Sequence, residues 1–567
     1  MSFVRRVAGL ASRAPTVLRT LRHLQADQAR AQLHHVLVGL PKPRPASGAP
    51  PTLALLEPHT AFLPPPAHVK SRGKGRVELL ATEIDLGTLG EGTDSTGGVD
   101  WAVARYGALV AYHLHQHEYA RLADWTPSAR AALILDWIGR HESGVGWDPH
   151  PISLRSICWG KLLTTPGALE TDATVREAML RSLADQIETL AAGLEVRLQA
   201  NHLLSNLIAV VFGGLLMDGS SSASWRGHAD ALLEEIDRQI RPDGGHEERS
   251  PMYHSLLLEN LLDLANLAQA APERAPDGLV EGLQSAATRM LEALDLYTHP
   301  DGRIALFADS ALDIAADPAQ LRGYATRLGM TAPREPVSGA LPQTGYFRLR
   351  ADEFDLIASV AGPAPRHQPG HAHCDALSFE LCVGSERLVT DTGLFEYLPG
   401  ERRQLARRTA SHSTLEFDGR EQAEIWAAHR VGGRPEVGLS AWDASGAAEA
   451  MCRGWARGAP LHRRFYSVEA SGVSVVDRVE GRCRNVCSRL HIDPAWQVEL
   501  QPLRAIATRT TPDGAALRVE IDLPEAFEWS VERGAYYPTF GVEIERAVIV
   551  GHSSGCDEAT IRFRRVG

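Results

Sequence analysis

Up to about residue 335, apolar residues recur at spacings of three and four. That period predicts helices in WAVARYGALVAYHLHQHEYARLA from Trp101, ARAALILDWIGRH from Ala129, ATVREAMLRSLADQIETLAAGLEV from Ala173 and NHLLSNLIAVVFGGLLM from Asn201. It predicts three more in SWRGHADALLEEIDRQI from Ser224, SLLLENLLDLANLAQAA from Ser255 and LVEGLQSAATRMLEALDLYT from Leu279. Turn signals such as RPDGG (241–245) and HPDG (299–302) separate them. From about residue 340 the period falls to two, in short runs such as FDLIASVAG, ALSFELCVG, RLVTDTG, STLEFDG, YSVEASGVSVVDRVEG, AALRVEIDL and RAVIVGHS. These are strands joined by tight Gly/Asp turns, at the spacing of an antiparallel sandwich. Residues 41–66 are proline-rich and read as an extended connector. The expected organisation is a lead-in over 1–66, an all-helical domain over 67–335 and an antiparallel β domain over 336–567.

A chain of 567 residues exceeds what one hydrophobic core serves, which agrees with that division. The net charge of -12 argues against nucleic acid as the main partner, yet a local basic cleft for an anionic sugar is compatible with it. No apolar run approaches the roughly 18–20 residues of a membrane span. The amino terminus, MSFVRRVAGLASRAPTVLRTLRHLQ, has arginines breaking its apolar residues, whereas a secretory signal needs about 7–15 uninterrupted ones. The expectation is therefore a cytoplasmic protein, or a periplasmic or secreted one if a leader is missing. Seven cysteines without paired CxxC units predict buried free thiols.

Polar residues inside these patterns mark the candidate chemistry. In GHAHCDALSFELCVGSERLVTDTG (370–393), alternation puts His371, His373, Asp375, Leu377, Phe379, Leu381 and Val383 on one strand face, polar at its start and apolar afterwards. Asp391 follows, and His412 lies in RRTASHSTLEFDG (407–419). Two histidines and a carboxylate suit a divalent transition metal such as zinc, although the spacing matches no zinc-finger pattern. In the helical half, Arg155 sits among apolar neighbours in HPISLRSICW (150–159). Asn201 and His202 open an apolar helix, with Asn206 further along, and DGGHEERSPMYH (243–254) ends in Tyr253 and His254. Each also has a structural reading: Asn201 as a helix cap, His202 as a core histidine, Tyr253 as packing.

Taken together, GHAHCDALSFEL, VTDTGLFEY (389–397), RRTASHSTLEFDGREQ, NHLLSN and DGGHEERSPMYH resemble the heparinase II/III-like polysaccharide lyases, over about residues 100–430. The resemblance implies an incomplete α/α toroid followed by an antiparallel β-sandwich, with a cleft between them. It implies β-elimination on a uronate-containing polysaccharide such as heparan sulfate, hyaluronan, chondroitin or alginate. By similarity, Asn201, His202 and His371 would neutralise the substrate carboxylate. Tyr253 would be base and acid, or acid alone with His202 as base. Arg155, Glu248 and His254 would bind substrate. The two histidines of HxH would divide: His371 facing substrate, and His373, Asp391 and His412 holding one metal, usually zinc, with manganese or calcium as options and a mainly structural role. That division requires the segment before Ala376 not to be a regular strand, or both rings to share one pocket.

Two features depart from the family pattern. His412 is followed by Ser413 where the family often has asparagine, and no secretory leader is expected from the amino-terminal pattern. Two other readings compete. A toroid-fold hydrolase would use two carboxylates from Asp243, Glu247 or Glu248. A non-catalytic polysaccharide-binding or assembly protein would keep the fold alone. Residues 430–567 carry no functional motif.

Overall fold

The computed structural model describes residues 14–39, 42–73, 75–87, 99–101, 106–170, 172–331, 338–511 and 514–566. The start of the basic amino terminus (1–13), part of the segment after Trp101 (102–105) and the expected domain boundary at 335/336 lie outside the described residues.

Helices fill the front half, and all but Pro149–Thr164 and Pro318–Arg327 fall in segments the periodicity predicts: Ala108–Gln116, Pro127–Arg140, Pro149–Thr164, Ala173–Ala191, Ala200–Leu216, Ala229–Gln239, Pro251–Ala270, Leu279–Tyr297 and Pro318–Arg327. They share one core, with Trp137, Trp159, Leu204, Phe212, Leu258, Leu261 and Leu291 buried within it, and form an incomplete α/α toroid. Pro149–Thr164 shows no apolar stripe because nearly all of its surface is buried, so its periodicity is weak. The Ser224 segment breaks in two at Gly227, into Ser222–Arg226 and Ala229–Gln239. The front half is not wholly helical. Lys70–Gly73, Arg76–Leu79 and Thr82–Asp85 form a three-stranded antiparallel sheet. The proline-rich stretch runs along the toroid and is tied to it, Ala46 N donating to Asp185 (2.7 Å) and Thr60 N to Asn266 (2.9 Å).

The back half is an antiparallel sandwich. A five-stranded sheet, built on Tyr346–Ala351, Phe354–Ser359 and Phe379–Val383, faces an eight-stranded sheet that runs from Glu436–Asp443 to Gln497–Gln501. Phe347, Phe354, Leu356, Phe379 and Leu381 from the first pack against Tyr466, Val473, Val475, Val519 and Phe563 of the second. A four-stranded sheet, with Ile544–Ser553 inside it, completes the domain. All seven cysteines are free, five of them buried, as expected.

The alternation over 371–383 does not hold. The strand begins only at Phe379, and residues 370–378 form turns, with Leu377 at a φ of 63°. Polar groups that need partners from the helical domain pull this stretch out of the sheet.

Candidate active site

Two helix starts and three loops converge where the domains meet. Asn201 is the second residue of Ala200–Leu216, entered through Gln199 (φ 59°) and Ala200 (φ 50°). Non-glycine residues rarely adopt such values, and they cluster around this site: Arg249 (φ 61°) follows Glu248, and Ala308 (φ 54°) precedes Asp309. Asn201 does not cap its helix. Its backbone N and its Nδ2 both donate to Glu248 Oε1 (2.9 and 2.8 Å), and Nδ2 also reaches Oε2 (2.9 Å). One amide hydrogen is left to face His371 Nε2 at 3.5 Å. Burial pushes the Glu248 carboxyl up, but His371, His246 and the Asn201 donors outweigh it and hold it below the ordinary range.

Tyr253 lies in the first turn of Pro251–Ala270. Ser250 caps that helix, accepting from Tyr253 N (3.1 Å) and donating to the Asp309 carbonyl (2.7 Å), so the helix start is tied to the loop beside it. The Tyr253 ring packs against His371, tilted by 34° with centroids 4.1 Å apart, and its hydroxyl meets that of Tyr397 at 2.8 Å. Burial pushes the Tyr253 phenol well up; the Tyr397 hydrogen bond and Arg403 oppose this without overcoming it. The ring is therefore a neutral phenol at neutral pH, and no cation here makes it a ready base.

Asp309 organises the β side. Oδ2 pairs with His371 Nδ1 and Oδ1 with His373 Nε2, both at 2.8 Å, so one carboxylate holds both histidines of HxH. Arg403 donates to both oxygens and to the Gly370 carbonyl, and its guanidinium lies 5.2 Å from the Tyr397 ring centroid. Burial would raise the Asp309 carboxyl, yet Arg403 and the two histidines hold it well below the usual carboxylate range.

Behind His371, His373, Asp391 and His412 are fully buried, and one ligand atom from each lies within 4.8 Å of the others. His412 Nδ1 pairs with Asp391 Oδ2 at 2.7 Å. His373 Nδ1 and His412 Nε2 are buried without a hydrogen-bond partner, the state expected of imidazoles whose free nitrogens serve a metal. The donor set fits a divalent transition ion. Ser413 turns away from it, its Oγ accepting from His491 N (3.2 Å).

His202 points to a neighbouring group. Its Nδ1 meets Glu195 Oε2 at 2.9 Å, and its ring packs against His150, tilted by 38° with centroids 4.6 Å apart. Burial opposes charge on His202, but the Glu195 carboxylate outweighs it and raises its pKa above 6.5, while Glu195, despite burial, is pulled down to about 2 by His202. A cavity of about 170 Å³ opens beside these groups, its wall including Asn201, Tyr253, Tyr397 and His150.

Three expected substrate contacts are displaced. Arg155 is fully buried over the Trp137 ring (3.9 Å), its nitrogens donating to Gln186 Oε1 and to the carbonyls of His115 and Gly146 at 2.8–2.9 Å. A guanidinium so satisfied is part of the helical core and cannot clamp a sugar. His254 is buried between helices, with Nε2 on the Met290 carbonyl (2.8 Å) and its ring against Tyr297. Glu248 is buried and spends both oxygens on Asn201, so it positions that amide and does not reach the cavity. Sequence reading missed Asp309, Arg403 and Tyr397. Only Tyr397 lay in a quoted motif, while Asp309 stood in the apolar run IALFADSAL, where a lone carboxylate is a usable signal.

The family models "Heparinase II/III N-terminus" and "Heparinase II/III-like, C-terminal" match residues 171–327 and 333–564, together more than half of the chain. The FtsZ-localized protein C of Caulobacter vibrioides is 25% identical over 384 residues, covering 65% of this chain and 60% of that protein. A heparin-sulfate lyase of Pedobacter heparinus is 26% identical over 242 residues, 39% of this chain and 36% of the lyase. The chain thus spans less than two thirds of the length of these curated relatives. Among solved structures, heparinase III superposes with a TM-score of 0.66 at 17% identity, covering 83% of this chain and 80% of that one, and supports the toroid-plus-sandwich fold.

Proposed function

Because this chain belongs to the heparinase II/III-like family, we propose that it is a polysaccharide lyase that breaks a glycosidic bond next to a uronate by β-elimination. The observation that carries this reading is that His371 meets both Asn201 Nδ2 and the Tyr253 ring, and that Asn201 and Tyr253 line one cavity. The C5 proton of a uronate is too weakly acidic to leave unaided, and neutralising the adjacent carboxylate stabilises the enolate-like transition state. Asn201 Nδ2 and His371, paired through Nδ1 with Asp309, are the groups that meet that carboxylate. Neutral His202 removes the C5 proton, the C4–C5 double bond forms as the C4–O bond breaks, and Tyr253 gives its hydroxyl proton to the leaving oxygen. The neutral state of Tyr253 favours this division over one in which the phenol is also the base.

The substrate class is a glycosaminoglycan or related polyuronate, in keeping with the lyases among its relatives. His373, Asp391 and His412 would hold a divalent ion, zinc by donor type, whose role is to pin the loops that carry His371. A hydrolase is less well supported. Asp243 is engaged by the backbone of Gln343 and Thr344 and by the Thr344 hydroxyl, and Glu248 by Asn201, leaving no free carboxylate pair.

A second reading has one observation in its favour: FtsZ-localized protein C matches more of this chain than the lyases do, and its name describes localisation. Ultraviolet absorbance of the unsaturated product, scanned over heparan sulfate, heparin, chondroitin sulfate, hyaluronan and alginate, separates the two. A rise lost in Tyr253→Phe is expected. A flat trace from the folded protein, assayed both with and without added Zn(II), together with binding to the same panel, would replace catalysis by binding.

A further inference from the structure

We infer that His150, Glu195 and His202 form a second divalent-metal site, separate from the buried His373, Asp391 and His412 set. One ligand atom from each of the three lies within 4.8 Å of the others. His202 and Glu195 already pair at 2.9 Å, which by itself asks for nothing more. The feature that pair leaves unexplained is His150, whose ring lies 4.6 Å from that of His202 and whose Nδ1 is buried without a partner. An unsatisfied buried nitrogen costs about 1–3 kcal/mol, and a cation shared with Glu195 and His202 removes that cost.

The surroundings are those of a held site. His150 stands in the first turn of Pro149–Thr164 and His202 in the first turn of Ala200–Leu216, so two packed helices set their approach. Asn206 steadies the carboxylate residue: its Oδ1 accepts from Glu195 N (2.8 Å), and its Nδ2 donates to Ser153 Oγ (3.0 Å) and reaches Glu195 Oε2 (3.5 Å). Two imidazoles and one carboxylate match zinc with three protein ligands and an open fourth position, and offer too few oxygens for calcium or magnesium. A tetrahedral ion about 2.1 Å from each donor needs them about 3.4 Å apart, a side-chain adjustment from the spacing present. Metal on His202 Nδ1 displaces the proton there, and the neutral ring then carries its one proton on Nε2.

Metal binding here does not depend on the lyase reading. If that reading holds, the ion occupies the base, and zinc inhibits turnover.

The test is Zn(II) content and affinity of the full chain, equilibrated against chelator-buffered Zn(II), for wild type, His150→Gln and His202→Gln, with thermal melts to check folding. Each variant is expected to bind one Zn(II) fewer per chain, or to weaken that site by more than about 100-fold, beyond the effect of losing an outer-shell partner. Should His150→Gln unfold, His202→Gln, at a partly exposed position, carries the test. Unchanged zinc stoichiometry and affinity in the folded variants would overturn the site, whether or not the protein cleaves any polysaccharide.

Discussion

The two halves of the molecule bring their polar groups to the cleft by different means. In the helical half, Asn201, His202 and Tyr253 all sit in first turns, where a cap or a sharp backbone turn fixes them locally. In the β half, His371, His373 and Asp391 sit in irregular loops and His412 just past a single 3-10 turn. There the positioning comes from buried charge: Asp309 with Arg403 and two histidines, and Asp391 with His412. A helix start can lose one side chain and keep its shape. A loop held by a buried ion cluster cannot lose the central ion without losing its geometry.

The strongest way to break that contrast is Asp309→Asn. It removes the countercharge of a fully buried arginine and should cost about 3–5 kcal/mol, read as a lowered midpoint in thermal or denaturant unfolding. Product formation should fall with it, because His371 loses the partner on Nδ1. A variant as stable as wild type would mean that backbone contacts alone hold the 370–378 loop. Tyr253→Phe, on the helical side, should do the reverse. Turnover drops by about 10²–10⁴-fold as the proton donor is lost, while the unfolding midpoint barely moves, since one hydrogen bond to Tyr397 contributes only about 1 kcal/mol.

Arg155→Lys sharpens the same distinction inside the helical half. A lysine cannot reproduce three donors to Gln186, His115 and Gly146, so about 1–3 kcal/mol of stability should go with KM unchanged. A raised KM without destabilisation would return the residue to the substrate.

The smallest effect is in pH. Since the pairing with Glu195 lifts the folded pKa of His202 above 6.5, it stabilises the fold fully below pH 6.5, and that contribution is lost as pH rises through the folded value. Proton abstraction needs neutral His202, so kcat/KM should climb over the same window in which stability declines. Melts and initial rates measured in parallel, with His202→Gln flattening both limbs, check the opposed slopes.

Much of this was legible in the sequence where the cause is local. Leu279–Tyr297 follows its apolar spacing, and Asn201, His202 and Tyr253 stood where polar residues open apolar helices. The strand reading of 371–378 failed because alternation records which faces are apolar, and this stretch is bent by partners on other segments. Arg155 and His254 carry the residue types of a sugar site, but their partners are the carbonyls of distant turns and helices.

By itself, then, the sequence determined the order of helices and strands, the two-layer back half and the residue types available to the cleft, because periodicity and capping act over a few neighbouring residues. Only the tertiary structure decided which of those residues meet. His371 finds Asp309 across 62 positions, Arg403 finds it across 94, and Tyr253 finds Tyr397 across 144. A buried charge or hydroxyl is tolerable only where such a partner arrives, and packing between domains, not spacing along the chain, determines where it does.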